Sequence, residues 1–146
     1  ELWLDESGKV RSINYQSEAE KKLKSKLLEE VKGQLHPSLK DFVNPALEWE
    51  TSKFRIRVDD LGNNKFRYAA WPVSCSTSEK PNIIISGGKI EFEGSGGNHT
   101  YVFSNGDFQY RCVVNVIGSD ETPPGELEVY KGTKRILHAP VVRVVR

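Results

Sequence analysis

One stretch of this chain commits to a local structure without help from the rest. From His99 to Ile117 the residues alternate, run into Asn105-Gly106, and alternate again on the far side. Asn-Gly supplies the two positive φ angles of a type I′ turn, and between alternating flanks it is the strongest short-range hairpin signal. A two-residue loop then sets the register: Ser104 faces Asp107, Phe103 faces Phe108, Tyr101 faces Tyr110 and His99 faces Cys112. Four aromatic rings fall on one face as two cross-strand pairs, which stabilise antiparallel sheet.

Around that hairpin the pattern is mostly β. Phe54, Ile56 and Val58 alternate with Lys53, Arg55 and Arg57, the period of a half-buried strand. Leu61 to Asn64 turns it, and Lys65 to Val73 returns, with Pro72 at its end or at a sheet edge. Asn82–Ser86 and Lys89–Glu93 read as a hairpin over Gly87-Gly88, and Gly94 to Gly97 as a flexible link. Glu126–Tyr130 and Arg135–Val145 close the chain as a last hairpin. The N-terminal part differs. Trp3 to Ile13 reads as a hairpin over Ser7-Gly8, and Ser17-Glu18-Ala19-Glu20 fits a capping box. The helix it opens, Ser17 to Lys32, carries Ala19, Leu23, Leu27 and Val31 on one stripe and Lys and Glu on the other. Gly33 and Pro37 end it. His36 to Glu50 has no clean period beyond a short helical turn near Ser38 to Val43. The expected fold is α+β and predominantly antiparallel: a sandwich or barrel-like sheet of hairpins with one N-terminal amphipathic helix packed on it. A single domain is expected over 1–146, with a hairpin–helix portion at 1–50 and a β-rich portion at 51–146.

Composition bounds the function. Twenty-one Lys and Arg against twenty Asp and Glu leave +1, so no global field recruits nucleic acid. No apolar run approaches a membrane span. The chain starts at Glu1 and contains no Met, which suggests a trimmed product and a removed signal peptide. Cys75 and Cys112 can form one disulfide, worth about 3–4 kcal/mol by closing a long loop. Such a bond implies a periplasmic or secreted, oxidising location.

Catalytic signatures are thin. His99 opposite Cys112 is a nucleophile–base pair only if a third group orients the imidazole. Gly94-Ser95-Gly96-Gly97 has no phosphate-loop spacing, because His99 stands where GxGxxG needs glycine and no lysine follows. His36, His99 and His138 lack any metal-ligand spacing, so no metal or other cofactor is expected. Two patches suggest binding instead. Lys53, Arg55, Arg57, Lys65 and Arg67 share one sheet face by parity. Trp3, Trp49, Trp71, Tyr101 and Tyr110 are aromatics that can stack on a sugar or anchor a protein. The expected function is therefore a non-enzymatic, extracytoplasmic binding or interaction module with a protein or glycan partner. Trp71, Tyr101 and Tyr110 are its candidate contacts, with Arg55 and Arg67 as polar supports. The alternatives are a small hydrolase or transferase with His99 as base, beside Glu91 or Asp107, and a structural subunit of an assembly.

Overall fold

A computed structural model describes residues 8–93, 97–116 and 122–145, with backbone alone for 8–17. The chain divides into two compact units between Leu35 and His36.

The first unit holds the helix α1, Gly8–Gly33. It ends at the expected glycine, where Gln34 N–H and Leu35 N–H bond back to the carbonyls of Val31 and Lys32. It starts upstream of the capping box. Val10 to Ile13, expected as the return strand of a hairpin, is helical; Trp3 and the first half of that hairpin lie outside the described residues. An isolated two-stranded hairpin is marginal in water, whereas extending an existing helix adds one hydrogen bond per residue without a new nucleus. Leu23 and Leu27 are 59% and 52% exposed. The apolar stripe expected to lie buried on the sheet is thus not shown to be buried.

The second unit opens with a 3-10 turn, Pro37–Leu39, in which the His36 ring accepts from the Ser38 N–H and the His36 carbonyl from the Leu39 N–H. Among the described residues nine antiparallel strands follow: β1 Asn44–Glu50, β2 Phe54–Gly62, β3 Lys65–Pro72, β4 Ile83–Phe92, β5 His99–Asn105, β6 Phe108–Val114, β7 Gly125–Lys131, β8 Lys134–Pro140 and β9 Arg143–Val144. They form one sheet in the order β8-β7-β6-β5-β4-β3-β2-β1-β9, a meander from β1 to β8 with β9 returning to pair with β1.

The C-terminus curls this sheet. Val141 and Val142 alone separate β8, at one edge, from β9, which pairs with β1 at the other. Val141 N–H bonds to Gly125 of β7, and Val142 N–H to Glu50 of β1. Edge strands of an open sheet cannot be joined in two residues, so the sheet rolls until its ends meet. Gly125 permits the approach, since a Cβ there would collide with the Trp49 indole. The last strand expected at Arg135–Val145 is accordingly two strands, broken after Pro140.

Two glycines do unexpected work in β4. Gly87-Gly88 does not turn a hairpin; the strand runs through it, with Gly87 at φ 79°. Ile83 to Gly88 pairs with β3 and Lys89 to Phe92 with β5, so the strand bends from one half of the curl into the other. Gly88 is tucked under the Phe103 ring, which leaves no room for a Cβ.

The β5–β6 hairpin is present in a different register. Asn105 pairs with Phe108, Phe103 with Tyr110, Tyr101 with Cys112, and His99 with Val114. Gly106 has φ 63°, while positive φ among described non-glycine residues is confined to Asn63 and Asn64. The loop is therefore Gly106-Asp107, with glycine in the first central position as a type II′ turn requires, rather than Asn105-Gly106 in type I′. The register slips by two residues, which keeps every side chain on its face but changes every partner.

The inner face is the core. Leu47, Trp49, Ile56, Val58, Phe66, Tyr68, Phe103, Cys112 and Leu127 are among its buried members. Tyr68 packs against Phe103 and Tyr110, with ring centroids 5.5 and 5.3 Å apart. The outer face of β1–β3 is also covered in part. Leu39 and Phe42 are buried there, over the side chains of Arg57 and Arg67.

Candidate binding cavity

The curl leaves space within it. A cavity of about 380 Å³ lies between β2, β3, β6, β7 and β8, on the side of the sheet that carries the β1–β2, β3–β4, β5–β6 and β7–β8 turns. Phe54, Ala70 and Ile83 form one wall, and Phe108, Tyr110, Leu127, Val129 and Leu137 the other. The location follows from the crossing at Val141-Val142. Beyond it β9 pairs with β1, while β8 pairs only with β7 among the described residues, and Lys53, Phe54, Ile136 and Leu137 line the space left there. Volume and apolar lining are in the range of small-molecule sites.

Tyr68 is the polar group at the depth of this cavity. It is 2% exposed, lies mid-strand in β3, and lines the wall. Its hydroxyl has no hydrogen-bond partner among the described residues. Arg67 Nε is the sealed side-chain polar atom without a partner, so the Tyr68 hydroxyl keeps its access to the cavity. Burial pushes its pKa well above 10, and the nearby Cys112 and Tyr110 add to that, so it is a neutral donor and acceptor. Tyr110, half-buried, adds a second hydroxyl; Lys53 and Asn82 provide the polar rim.

The residues proposed from sequence are scattered. Tyr110 lines the cavity, and Trp71 contributes to its wall. Trp71 is itself 1% exposed, with its indole N–H given to the Glu79 carbonyl at 2.8 Å, so it is no exposed stacking surface. Tyr101 is 7% exposed and packs on Phe66. Arg55 holds the 73–75 loop through the carbonyls of Val73 and Cys75, and pairs with Glu50 at 3.0 Å. Arg67 is buried, bound to the Leu39 carbonyl and to Asp41.

The basic face expected at Lys53, Arg55, Arg57, Lys65 and Arg67 is thus not an exposed basic surface. Arg57 has no exposed side-chain area. Its Nε and Nη2 donate to Asp59 at 2.9 and 2.6 Å, and its Nη1 to Glu48 at 2.8 Å. Parity was right, but Leu39 and Phe42 cover the middle of the face and internal carboxylates neutralise it. Lys53 and Lys65 remain exposed; Lys53, just before β2, also lines the cavity.

The disulfide is absent. Cys75 and Cys112 are free thiols, one half-buried in the loop after β3 and the other fully buried in the core. Cys75 lies in a loop held by Arg55 on the outer face and Cys112 points inward from β6, so the sheet stands between them. The inference of an oxidising compartment rested on that bond.

No nucleophile–base pair forms either. Burial drives the Cys112 thiol far above its ordinary range, away from the reactive thiolate. His99 faces Val114, its Nδ1 sits 2.7 Å from the Gly97 carbonyl, and it borders a hollow of about 310 Å³ that neither Glu91 nor Asp107 lines. Asp107 lies in the turn at the opposite end of β5. Among the described residues no group of three His, Cys, Asp or Glu side chains is placed to hold a metal, and no helix is long and apolar enough to cross a membrane.

Sequence reasoning missed Tyr68 and the β7–β8 wall, and read Lys53 as part of a basic sheet face rather than as a lining residue of a cavity. The signal for Tyr68 was present, as a hydroxyl in an otherwise apolar inward series, Phe66-Tyr68-Ala70. Compared with family models, curated proteins and solved structures, the chain matches none.

Proposed function

We propose that the His36–Arg146 unit is a non-enzymatic binding module that takes a small, mostly apolar molecule into the cavity of the curled sheet. The molecule presents a hydrogen-bonding group to Tyr68 and Tyr110. The unpartnered hydroxyl of Tyr68 carries this reading. The hydroxyl is not sealed, so it keeps an open hydrogen-bonding position toward the cavity. A hydroxyl left facing a mostly apolar cavity is what a complementary ligand group would satisfy. Since Trp71 and Tyr101 are buried, the ligand proposed is a small molecule rather than a protein or glycan docked on exposed aromatics.

The test is a thermal-shift series on the whole chain with long-chain diols and alkanes of matched length. A ligand at a hundred times its Kd stabilises by about 2.7 kcal/mol. Diols should raise Tm, alkanes should do so less, and Tyr68→Phe should remain folded while erasing the difference. If no member shifts Tm, the cavity is only a packing defect; if Tyr68→Phe binds diols as the wild type does, the Tyr68 hydroxyl is not the recognition group.

A further inference from the structure

Resting on the cavity reading above, we propose that its ligand is anionic: an elongated monocarboxylate of about ten carbons. The carboxylate sits at Lys53, and a hydroxyl or oxo group at the far end meets Tyr68. The charge distribution of the lining points to this. Among the residues that line the cavity, Lys53 carries the formal charge, and no Asp or Glu accompanies it. The Lys53 ammonium has no ion pair or hydrogen bond among the described residues. Glu50, the carboxylate nearest in sequence, is held by Arg55 at 3.0 Å and Arg143 at 2.7 Å. A second cation stands at the same end: Lys131 Nζ lies 5.8 Å from the centroid of Phe108, a wall residue.

Length follows from the strand. Pro72, at the mouth, and Tyr68, at depth, are four residues apart on β3, or about 13 Å at the rise of an extended chain. An extended hydrocarbon advances roughly 1.3 Å per carbon–carbon bond, so about ten carbons span the path. Apart from Tyr110, the side chains named along its walls, among them Ala70, Val129 and Leu137, are apolar. A ligand polar at both ends and apolar between them fits the sequence of surroundings from rim to depth.

Isothermal titration of the whole chain with three probes of one length tests the charge separately from the cavity. The probes are 10-hydroxydecanoate, 1,10-decanediol and 10-amino-1-decanol. The hydroxy acid should bind about five-fold tighter than the diol, the scale of a partly exposed ion pair, and the amino alcohol weakest. Lys53→Ala should equalise hydroxy acid and diol, and Lys53→Glu should invert the order; Lys53 is exposed, so both variants keep the fold. If the diol binds as tightly as the hydroxy acid, or Lys53→Ala leaves their ratio unchanged, the charge assignment is overturned while the cavity reading stands. If none of the three binds, both fall.

Discussion

Replacing Arg57 by methionine should be among the most damaging single substitutions in the sheet. Methionine keeps much of the length and apolar bulk, so the perturbation is mainly electrostatic. Three hydrogen bonds are lost, two of them a bidentate pair with Asp59. Asp59, 1% exposed, and Glu48, 6% exposed, both lose the Arg57 guanidinium. Arg67 reaches Asp59 only at 3.6 Å. Orphaning a buried carboxylate costs about 3–5 kcal/mol, which for a domain of this size lowers Tm on the order of 15 °C. The pH dependence carries a sign. Burial already holds the Asp59 carboxyl above 3.8, opposed by Arg57 and then Arg67. A folded-state pKa raised above the unfolded one favours folding below about pH 3.8, and that advantage is lost as pH rises through the folded value. Without Arg57 the value climbs further, so the gap between variant and wild type should be widest at neutral pH. It should narrow as pH falls toward 4. Urea unfolding at pH 7 and pH 4 measures both, and Arg57→Met/Asp59→Asn should recover part of the loss. A cost below about 1 kcal/mol, equal at both pH values, would refute a buried network and return Arg57 to the surface.

Gly106→Ala should cost about 1 kcal/mol in urea unfolding because its φ is 63°, whereas Asn105→Ala should change stability by only a few tenths. Comparable losses at both positions would favour the Asn-Gly turn instead. Intact mass after thiol alkylation should show that the native protein takes up label at Cys75 slowly and at Cys112 only once unfolded, with or without reductant. A wild type that gains label at both positions only after reduction would restore the disulfide.

What the sequence disclosed was parity; what it hid was pairing. Phe54, Ile56 and Val58 on one face and Arg55, Arg57 on the other follow from alternation, and both faces are as expected. Alternation cannot say what covers a face. The 36–50 stretch, with no period of its own, supplies β1 and the Leu39–Phe42 cover, and so turns a basic surface into a sealed ion network. In the central hairpin Asn105-Gly106 and Gly106-Asp107 are both good turns, and two residues of slip leave the hydrophobic pattern untouched. Pattern therefore could not choose, yet the choice removes His99 from Cys112. Gly87-Gly88 is likewise ambiguous, because glycines serve a turn and a bend alike; the Phe103 ring across the sheet decides. The cavity depends on the crossing at Val141-Val142, a tertiary event with no local signature.

The central claim is that a small molecule enters the curled sheet and reaches Tyr68. Methyl-resolved NMR titration with 10-hydroxydecanoate tests it most directly. Saturable shifts should centre on Ile83, Leu127, Val129 and Leu137, which line the cavity, while the exposed Leu23, Leu27 and Val142 stay fixed. Shifts spread over those exposed methyls, with the cavity methyls unmoved, would contradict it.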